Sequence, residues 1–256
     1  MNTLFNGSKL KIKRSNRHID ELQGILSAFL KTDFCRLHTE KDLKDGTYVL
    51  KFETTKEMPT DVPLIIGDAI HNLHSALDLM ACEIVTLAKE TPDRKTYFPF
   101  SKTRDELIRT IDGGKIKAAG SVIIDLIVDT IKPYKGGDDA LYNLHDLDIL
   151  DKHRLLIPVT SIAALIGAST IDEWGNSIQN LNLTVGQGGK IQIMASGSNI
   201  KIIKQGRPDF TIIFDKGQIF EGKAVIETLH MLSQLVFGVV QTIEKTYLSR
   251  GKGSTI

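Results

Sequence analysis

The chain contains 256 residues, of which 41% are apolar and 25% charged, and its formal net charge is +1 at pH 7. That length and composition are typical of a globular protein with a sizeable core, and the neutral balance excludes a protein whose whole surface is basic for coating nucleic acid. The two cysteines provide neither a disulfide framework nor a metal-binding pair, which favours a reducing compartment.

The first two-thirds of the chain is predicted to be mainly helical. The basic run KLKIKRSNRH is interpreted as a solvated arm or the start of a helix, with a nucleic-acid contact as the alternative. The segment TYVLKFETT at 47–55 is predicted to be a strand because it follows the turn signal Asp45-Gly46, and Ser101 is predicted to cap a helix. The predicted helices cover about residues 15–43, 62–90, 101–113, 115–131 and 138–156.

The pattern changes after residue 175. Four segments alternate apolar and polar residues between Gly-rich turns, which predicts an antiparallel meander. They are LNLTV, KIQIM, NIKII and DFTIIF. A closing helix over about 222–248 has a regular apolar face, and we expect it to pack on the early helices.

The predicted fold is α+β, a helical bundle with a four- to five-stranded antiparallel sheet, in one domain of residues 1–256. Its helical, motif-bearing part covers about 1–165, its strand-rich part about 175–216 and its closing helix about 222–248. No apolar run has the length of a membrane helix and no secretory signal is evident, so we expect a cytoplasmic protein without membrane association. The sequence indicates no cofactor and leaves an oligomer open.

The segment GDAIHNLHSALD at 67–78 concentrates short polar residues on one helix. Asp68, His71, Ser75 and Asp78 are spaced three, four and three residues apart, so they line one stripe of an α-helix. A face that only meets solvent usually carries Glu, Lys, Gln or Arg, which form helices more readily than Asp, His, Asn or Ser. The stripe therefore indicates a site.

Three reaction schemes could use this stripe. A Ser-His-Asp triad fails because Ser75 lies between His71 and Asp78 instead of the histidine lying between the other two. His71 and His74 form an H-x-x-H pair that Asp68 or Asp78 could extend, and His145-Asp146 spells the HD dipeptide of metal phosphohydrolases. Spacing supplies no further ligand, so we predict no metal site and no stoichiometric zinc in the purified protein.

A second polar run, DLDILDKHR at 146–154, lies in the helix predicted at 138–156. Asp148 and Lys152, and likewise Asp151 and Arg154, have the spacing of helical ion pairs. Asp151 falls on the same side as Leu144, Leu147 and Leu155 and should turn inward. A buried carboxylate needs a cationic or hydrogen-bonding partner, so we expect one at the 68–78 stripe.

Four stretches together resemble a family of uncharacterised bacterial and phage-associated proteins. They are GDAIHNLHSALD at 67–78, YFPF at 97–100, IKPYKGG at 131–137 and LYNLHDLDILDKHR at 141–154. The family pattern is G-D-x-x-H-N-L-R-S-A-L-D, then F-P, then P-Y, then a helix ending in D-K-H-R. The resemblance covers about residues 64–158, and the strand-rich part adds little to it.

The resemblance implies that the two polar helices belong to one constellation, but it brings no reaction with it. The matching polar positions are Asp68, His71, Asn72, Ser75, Asp78, Asp151, Lys152, His153 and Arg154. His74 departs from the pattern, which has Arg there. That departure weakens any scheme in which His74 binds a metal or an arginine at this position binds an anion.

Two functions of different classes remain open. The first is a hydrolase-like enzyme acting on a phosphorylated small molecule or RNA, such as a ribonuclease of a defence system, with a histidine as general base or acid and Lys152 and Arg154 holding phosphate. Its candidate catalytic residues are His71, His153 and Asp78, and its candidate substrate-binding residues are Asp68, Asn72, Ser75, Asp151, Lys152 and Arg154. The alternative is a non-enzymatic binding or interaction protein whose polar constellation is a buried network that fixes helix register.

Both functions predict contact between the two motifs. We expect at least one hydrogen bond or ion pair between residues 68–78 and residues 148–154, because the carboxylates of one helix and the cations of the other can satisfy each other. We also expect the motif to be largely buried, with His71 less exposed than His74.

Overall fold

Amphipathic helices form the core of the molecule. A computed structural model describes residues 4–41, 43, 44, 46, 48–154, 156, 158–184, 195, 196 and 199–252. In this part of the chain the α-helices are α1 (Asn6–Phe29), α2 (Asp61–Leu87), α3 (Arg104–Gly113), α4 (Ser121–Asp125), α5 (Asp139–Asp151) and α6 (Val225–Lys252).

Helix α2 is the central element of the core. Its apolar side chains Ile66, Ile70, Leu73 and Leu77 are fully buried, and burying each contributes roughly 1.5–3 kcal/mol relative to exposure. Helices α1, α5 and α6 all pack against α2, and α6 also packs against α1. The expectation that the closing helix returns to the early helices is confirmed.

The strands form two antiparallel sheets. They are β1 (Cys35–Lys41), β2 (Tyr48–Thr54), β3 (Pro158–Asp172), β4 (Ser177–Thr184), β5 (Ala195–Ser196), β6 (Ile200–Lys204) and β7 (Arg207–Phe214). One sheet has the order β1-β2-β5. In the other, the long β3 pairs with β4, with β6 near its end and with β7 along its first half.

The α+β class is confirmed, but the prediction of a single four- to five-stranded sheet is not matched. Strand β2 confirms the strand predicted at 47–55, whereas β1 and β3, which also begin before residue 175, were not predicted. The segment that forms β3 is apolar at consecutive positions, and such a run has no periodicity that separates a strand from a helix. The predicted strand KIQIM lies outside the described residues.

The first predicted helix is wrong at both ends. Helix α1 begins at Asn6 and ends at Phe29, and the predicted continuation to residue 43 contains β1 instead. In that segment charged and less polar residues alternate, and all seven residues of β1 pair with β2. The basic run is part of α1, where Lys9 forms an ion pair with Glu244 of α6 at 2.6 Å.

Two details of the middle region also differ from the prediction. Thr103, not Ser101, caps α3, because its side chain accepts a hydrogen bond from the backbone N–H of Glu106. The predicted helix at 115–131 is divided into a 3₁₀ turn at Lys115–Ala119, the short α4 and a π-helical turn at Leu126–Ile131. Gly120, at φ 83°, separates the first two with a backbone conformation that favours glycine.

Among the helices described, none has the length and apolar character needed to cross a membrane.

Candidate functional site

Asp148 joins the two polar motifs. It lies on α5, is 1% exposed, and faces α2. Its Oδ1 atom is 3.0 Å from Nδ1 of His71, and its Oδ2 atom accepts a 2.6 Å hydrogen bond from Nζ of Lys152 and lies 3.5 Å from Nδ1 of His74. The expected contact between residues 68–78 and 148–154 is therefore confirmed.

The surroundings of Asp148 favour its charged form. Burial by itself raises the pKa of this carboxyl group, but the hydrogen bond from Lys152, the electrostatic effect of His74 and the hydrogen bond from His71 outweigh burial. The net result is a pKa below the ordinary value. Asp148 is thus a buried anion whose two oxygens orient the side chains around it.

His74 continues this network to a third histidine. Its Nδ1 atom lies 3.3 Å from Oδ2 of Asp78 and 3.5 Å from Oδ2 of Asp148, while its Nε2 atom is 3.0 Å from Nδ1 of His145. Because Nδ1 of His74 faces two carboxylates, it carries a proton. Nε2 of His74 and Nδ1 of His145 share one proton between them. In the tautomer in which Nδ1 of His145 is the donor, Nε2 of His145 has a free lone pair.

The ring of His145 is held by stacking on Phe100 and by its bond to His74. Its centroid lies 4.6 Å from that of Phe100, with 10° between the planes, and 5.2 Å from that of His74. Burial, followed by the electrostatic effect of His74, lowers the pKa of His145. His145 is thus a fixed imidazole whose surroundings favour the neutral form. We refer to Asp148, His74 and His145 as the histidine relay.

The histidine relay ends at a cavity of about 510 Å³. His74, His145 and Asp78 line it together with three lysines, Lys95, Lys115 and Lys152, and with an apolar wall that includes Tyr97, Pro99 and Ile116. Oδ1 of Asp78 accepts a 3.0 Å hydrogen bond from the backbone N–H of Phe98, which fixes this wall to α2. Lys115 forms an ion pair with Asp93, and Lys152 forms one with Asp148. A base beside lysine ammonium groups is a combination that suits an anionic ligand.

His71 contacts Oδ1 of Asp148 and is more exposed than predicted. Its side chain is 53% exposed and that of His74 is 11% exposed, so the predicted order of exposure is wrong. The reason is that His74 points between the helices, whereas His71 points along their solvent-facing edge. Nε2 of His71 is 3.4 Å from Oγ of Ser75, a long contact for a hydroxyl donor.

Asp148 lies behind His71 and Ser75 lies in front of it, so these three residues have the Asp-His-Ser order of a catalytic triad. Asp78 could not complete that order. Ser75, however, lies in the middle of α2, where backbone N–H groups are engaged in the helix. A nucleophilic serine needs free N–H donors to stabilise an oxyanion, and this helix position presents none. We therefore assign His71 and Ser75 no catalytic role.

Four other predicted site residues do not face the cavity. Asp68 is exposed, and Asn72 bonds back to the carbonyl of Asp68 and receives a 3.3 Å hydrogen bond from Lys11 of α1. His153 and Arg154 are exposed after the end of α5. Of the D-K-H-R motif, only Lys152 lines the cavity.

Asp151 does not have the predicted cationic partner. In the described part of the chain it forms no hydrogen bond or ion pair, and its carboxylate fits against Gly67 of α2, where an added Cβ would lie 2.6 Å from Asp151 Cγ. Burial, then the charges of Asp148 and Asp68, raise the pKa of Asp151. The absence of a side chain at Gly67 is what admits this carboxylate between the helices.

We expect Asp151→Asn to stabilise the protein at neutral pH. A raised carboxyl pKa means that the folded state disfavours the charged form, so the destabilisation grows as pH rises through the interval between the unfolded and folded pKa values. Asparagine keeps the shape without the charge. Because the group is only half-buried, the gain should be small, about 1–3 °C in Tm. Differential scanning calorimetry at about pH 7 and pH 4 measures it, and a gain that is equal at both would contradict this account.

Among the described residues, no group of three His, Cys, Asp or Glu side chains is arranged to hold a metal ion. His74 and His145 direct nitrogens at each other, and the carboxylates beside His74 are already engaged by His71, Lys152 and Phe98. The histidines are arranged for hydrogen bonding and proton transfer.

Sequence reasoning missed three of the residues that form this site. Asp148 was interpreted only as an ion-pair partner of Lys152, His74 only as a metal ligand, and His145 only as half of an HD dipeptide. His74 and His145 lie on different helices, and no spacing rule links them. Comparisons of the chain with protein-family models, with curated proteins and with solved structures find no match.

Proposed function

We propose that the protein is a hydrolase that uses His145 as its general base on a phosphate ester. The observation that carries the proposal is the histidine relay ending at a cavity with three lysines. A neutral imidazole fixed by a hydrogen-bonded partner is the usual general base, and lysines hold phosphate as point charges.

The reaction follows from these positions. Nε2 of His145 takes a proton from a water molecule, whose oxygen attacks phosphorus while the bond from phosphorus to the ester oxygen breaks. The imidazolium of His145 then returns that proton to the leaving oxygen. The products are an alcohol and a phosphate with one ester bond fewer, and the enzyme is regenerated.

In these steps His74 supports His145, and Lys152 and Lys95 can bind the phosphoryl oxygens. The positive charge that forms on His145 is shared with His74, which is itself bonded towards Asp148 and Asp78. The ammonium group of Lys152 has one hydrogen bond to Asp148 and is half exposed, so its other protons can reach a phosphoryl oxygen. Lys95, also exposed at the cavity, adds a second cation.

The assay is the release of p-nitrophenolate from bis(p-nitrophenyl) phosphate and from p-nitrophenyl phosphate by the full chain. We expect hydrolysis of at least one of the two. Release no faster than in buffer, for both esters and throughout the range from about pH 5 to pH 8, would contradict the proposal.

A second candidate function is a binding or interaction protein in which the same network is structural. It is favoured by Asp148, which is 1% exposed and bonded to side chains of both α2 and α5. A structural network depends on Asp148, but it does not depend on a base such as His145 at the edge of a cavity. Variants of His145 therefore separate the two functions.

A further inference from the structure

A second cavity adjoins the first at His145. Its volume is about 600 Å³, and it shares Phe100, Thr110 and His145 with the cavity described above. The reacting group beside His145 therefore has space in two directions. A phosphate monoester has one organic arm and would fill one cavity, whereas a phosphodiester has two arms and would use both.

The first cavity presents an aromatic ring to solvent. Tyr97 is 56% exposed, although it lies between the buried residues Thr96 and Phe98. Thr96 is bonded to Asp93, and Phe98 is bonded through its backbone to Asp78. The backbone on both sides of Tyr97 is thus fixed, and its exposed ring offers a flat surface. Such a ring beside lysines suits a nucleobase, because bases stack on aromatic side chains while cations bind the backbone.

The second cavity is lined by two basic and two acidic side chains. Lys102 and Arg109 are exposed along it. The acidic residues there are Glu106, which accepts a hydrogen bond from the backbone N–H of Lys102, and Asp146, which interacts with Tyr142. The basic side chains are the ones that extend into solvent, where a phosphate of a neighbouring nucleotide can reach them.

We infer that the substrate is a single-stranded polynucleotide, with the reacting diester at His145 and Lys152, one base stacked on Tyr97 and the chain continuing past Lys102 and Arg109. This inference rests on the proposed function, because it takes His145 as the reacting end. The strand must be unpaired, since a base in a duplex is already stacked on both faces and cannot lie on Tyr97. RNA and DNA share the chemistry that these residues recognise.

The test is binding of a fluorescein-labelled octanucleotide to the full chain carrying His145→Asn, followed by fluorescence anisotropy. RNA, DNA of the same sequence and the corresponding duplex are compared. We expect one or both single strands to bind more tightly than the duplex. Tyr97→Ala should weaken binding about fivefold or more, and Tyr97→Phe should retain it. Trp174→Ala removes another exposed ring, on the turn between β3 and β4, and should leave binding unchanged.

A double variant tests the second cavity. Lys102→Ala with Arg109→Ala should lower the affinity for the octanucleotide and reduce the slope of log K against log salt by roughly one to two, at about 0.7 per phosphate contact. An affinity that Tyr97→Ala leaves unchanged, or a duplex that binds as well as the single strands, would overturn the inference. If the wild type cleaves bis(p-nitrophenyl) phosphate but no octanucleotide binds, the inference fails and the proposed function stands. Binding without any ester hydrolysis would contradict the proposed function.

Discussion

Replacing His145 by asparagine is expected to lower kcat/KM for the phosphate ester by about 10²–10⁴-fold. Asparagine can retain a hydrogen bond towards His74 but cannot accept the proton of the attacking water. His145 is only half-buried at the edge of two cavities, so the variant should remain folded. Melting temperature and initial rate are measured on the same preparation.

The matched control is His153→Asn, which makes the same chemical change at an exposed histidine outside the cavity. It should leave kcat/KM unchanged. Equal losses in the two variants, or no loss in either, would contradict the assignment of the base.

In the wild type, the rate should fall as pH decreases through the pKa of His145, which burial and His74 place below 6.5, because the protonated ring cannot act as a base.

Replacing Asp148 by alanine is expected to destabilise the protein by roughly 1.5–3 kcal/mol, the usual contribution of hydrogen bonds to a charged group. The change removes the buried carboxylate that His71, His74 and Lys152 share, while the half-exposed side chains of His71 and Lys152 can turn to solvent. For a chain of this length that corresponds to a fall of about 3–12 °C in Tm. Chemical denaturation, with the midpoint and slope fitted together, measures the difference.

Asp20→Ala is the control for Asp148→Ala, since Asp20 is an exposed aspartate on α1. Its effect should stay within about 0.5 kcal/mol.

The pH dependence of the stability that Asp148 contributes follows from its lowered pKa. Its contribution is complete above the unfolded carboxyl pKa of about 4 and is lost as pH falls through the lower folded value. A Tm difference between wild type and Asp148→Ala that does not shrink in acid would contradict this assignment.

Asp148 and Asp151 show why the polar run of α5 could be recognised in the sequence but not resolved into roles. Both are aspartates of one helix, three residues apart. Asp148 meets two histidines and a lysine, whereas Asp151 fits against the backbone at Gly67, where burial and the charges of Asp148 and Asp68 raise its pKa. The difference depends on the rotation of α5 against α2, which tertiary packing determines.

The helices that carry the site were predictable because their apolar periodicity is regular. The helix predicted at 62–90 matches α2 (Asp61–Leu87) to within one residue at its start and three at its end, and the helix predicted at 138–156 contains α5. Their contact could also be anticipated, since both contain polar residues that need partners. The long strand β3 and the placement of His145 beside His74 could not be anticipated, because neither a continuous apolar run nor a histidine on another helix has a diagnostic spacing.

The protonation of the histidine relay is the central claim, and nitrogen-15 NMR of the full chain with labelled histidines tests it most directly. Long-range proton–nitrogen spectra distinguish protonated from bare ring nitrogens, and the assignments come from the His74→Asn and His145→Asn variants. At about pH 7.5 we predict a proton on Nδ1 and none on Nε2 for both His74 and His145. That tautomer aligns both rings towards Asp148 and leaves Nε2 of His145 as the base. A proton on Nε2 of neutral His145 would contradict the account, since that nitrogen could then accept no proton from water.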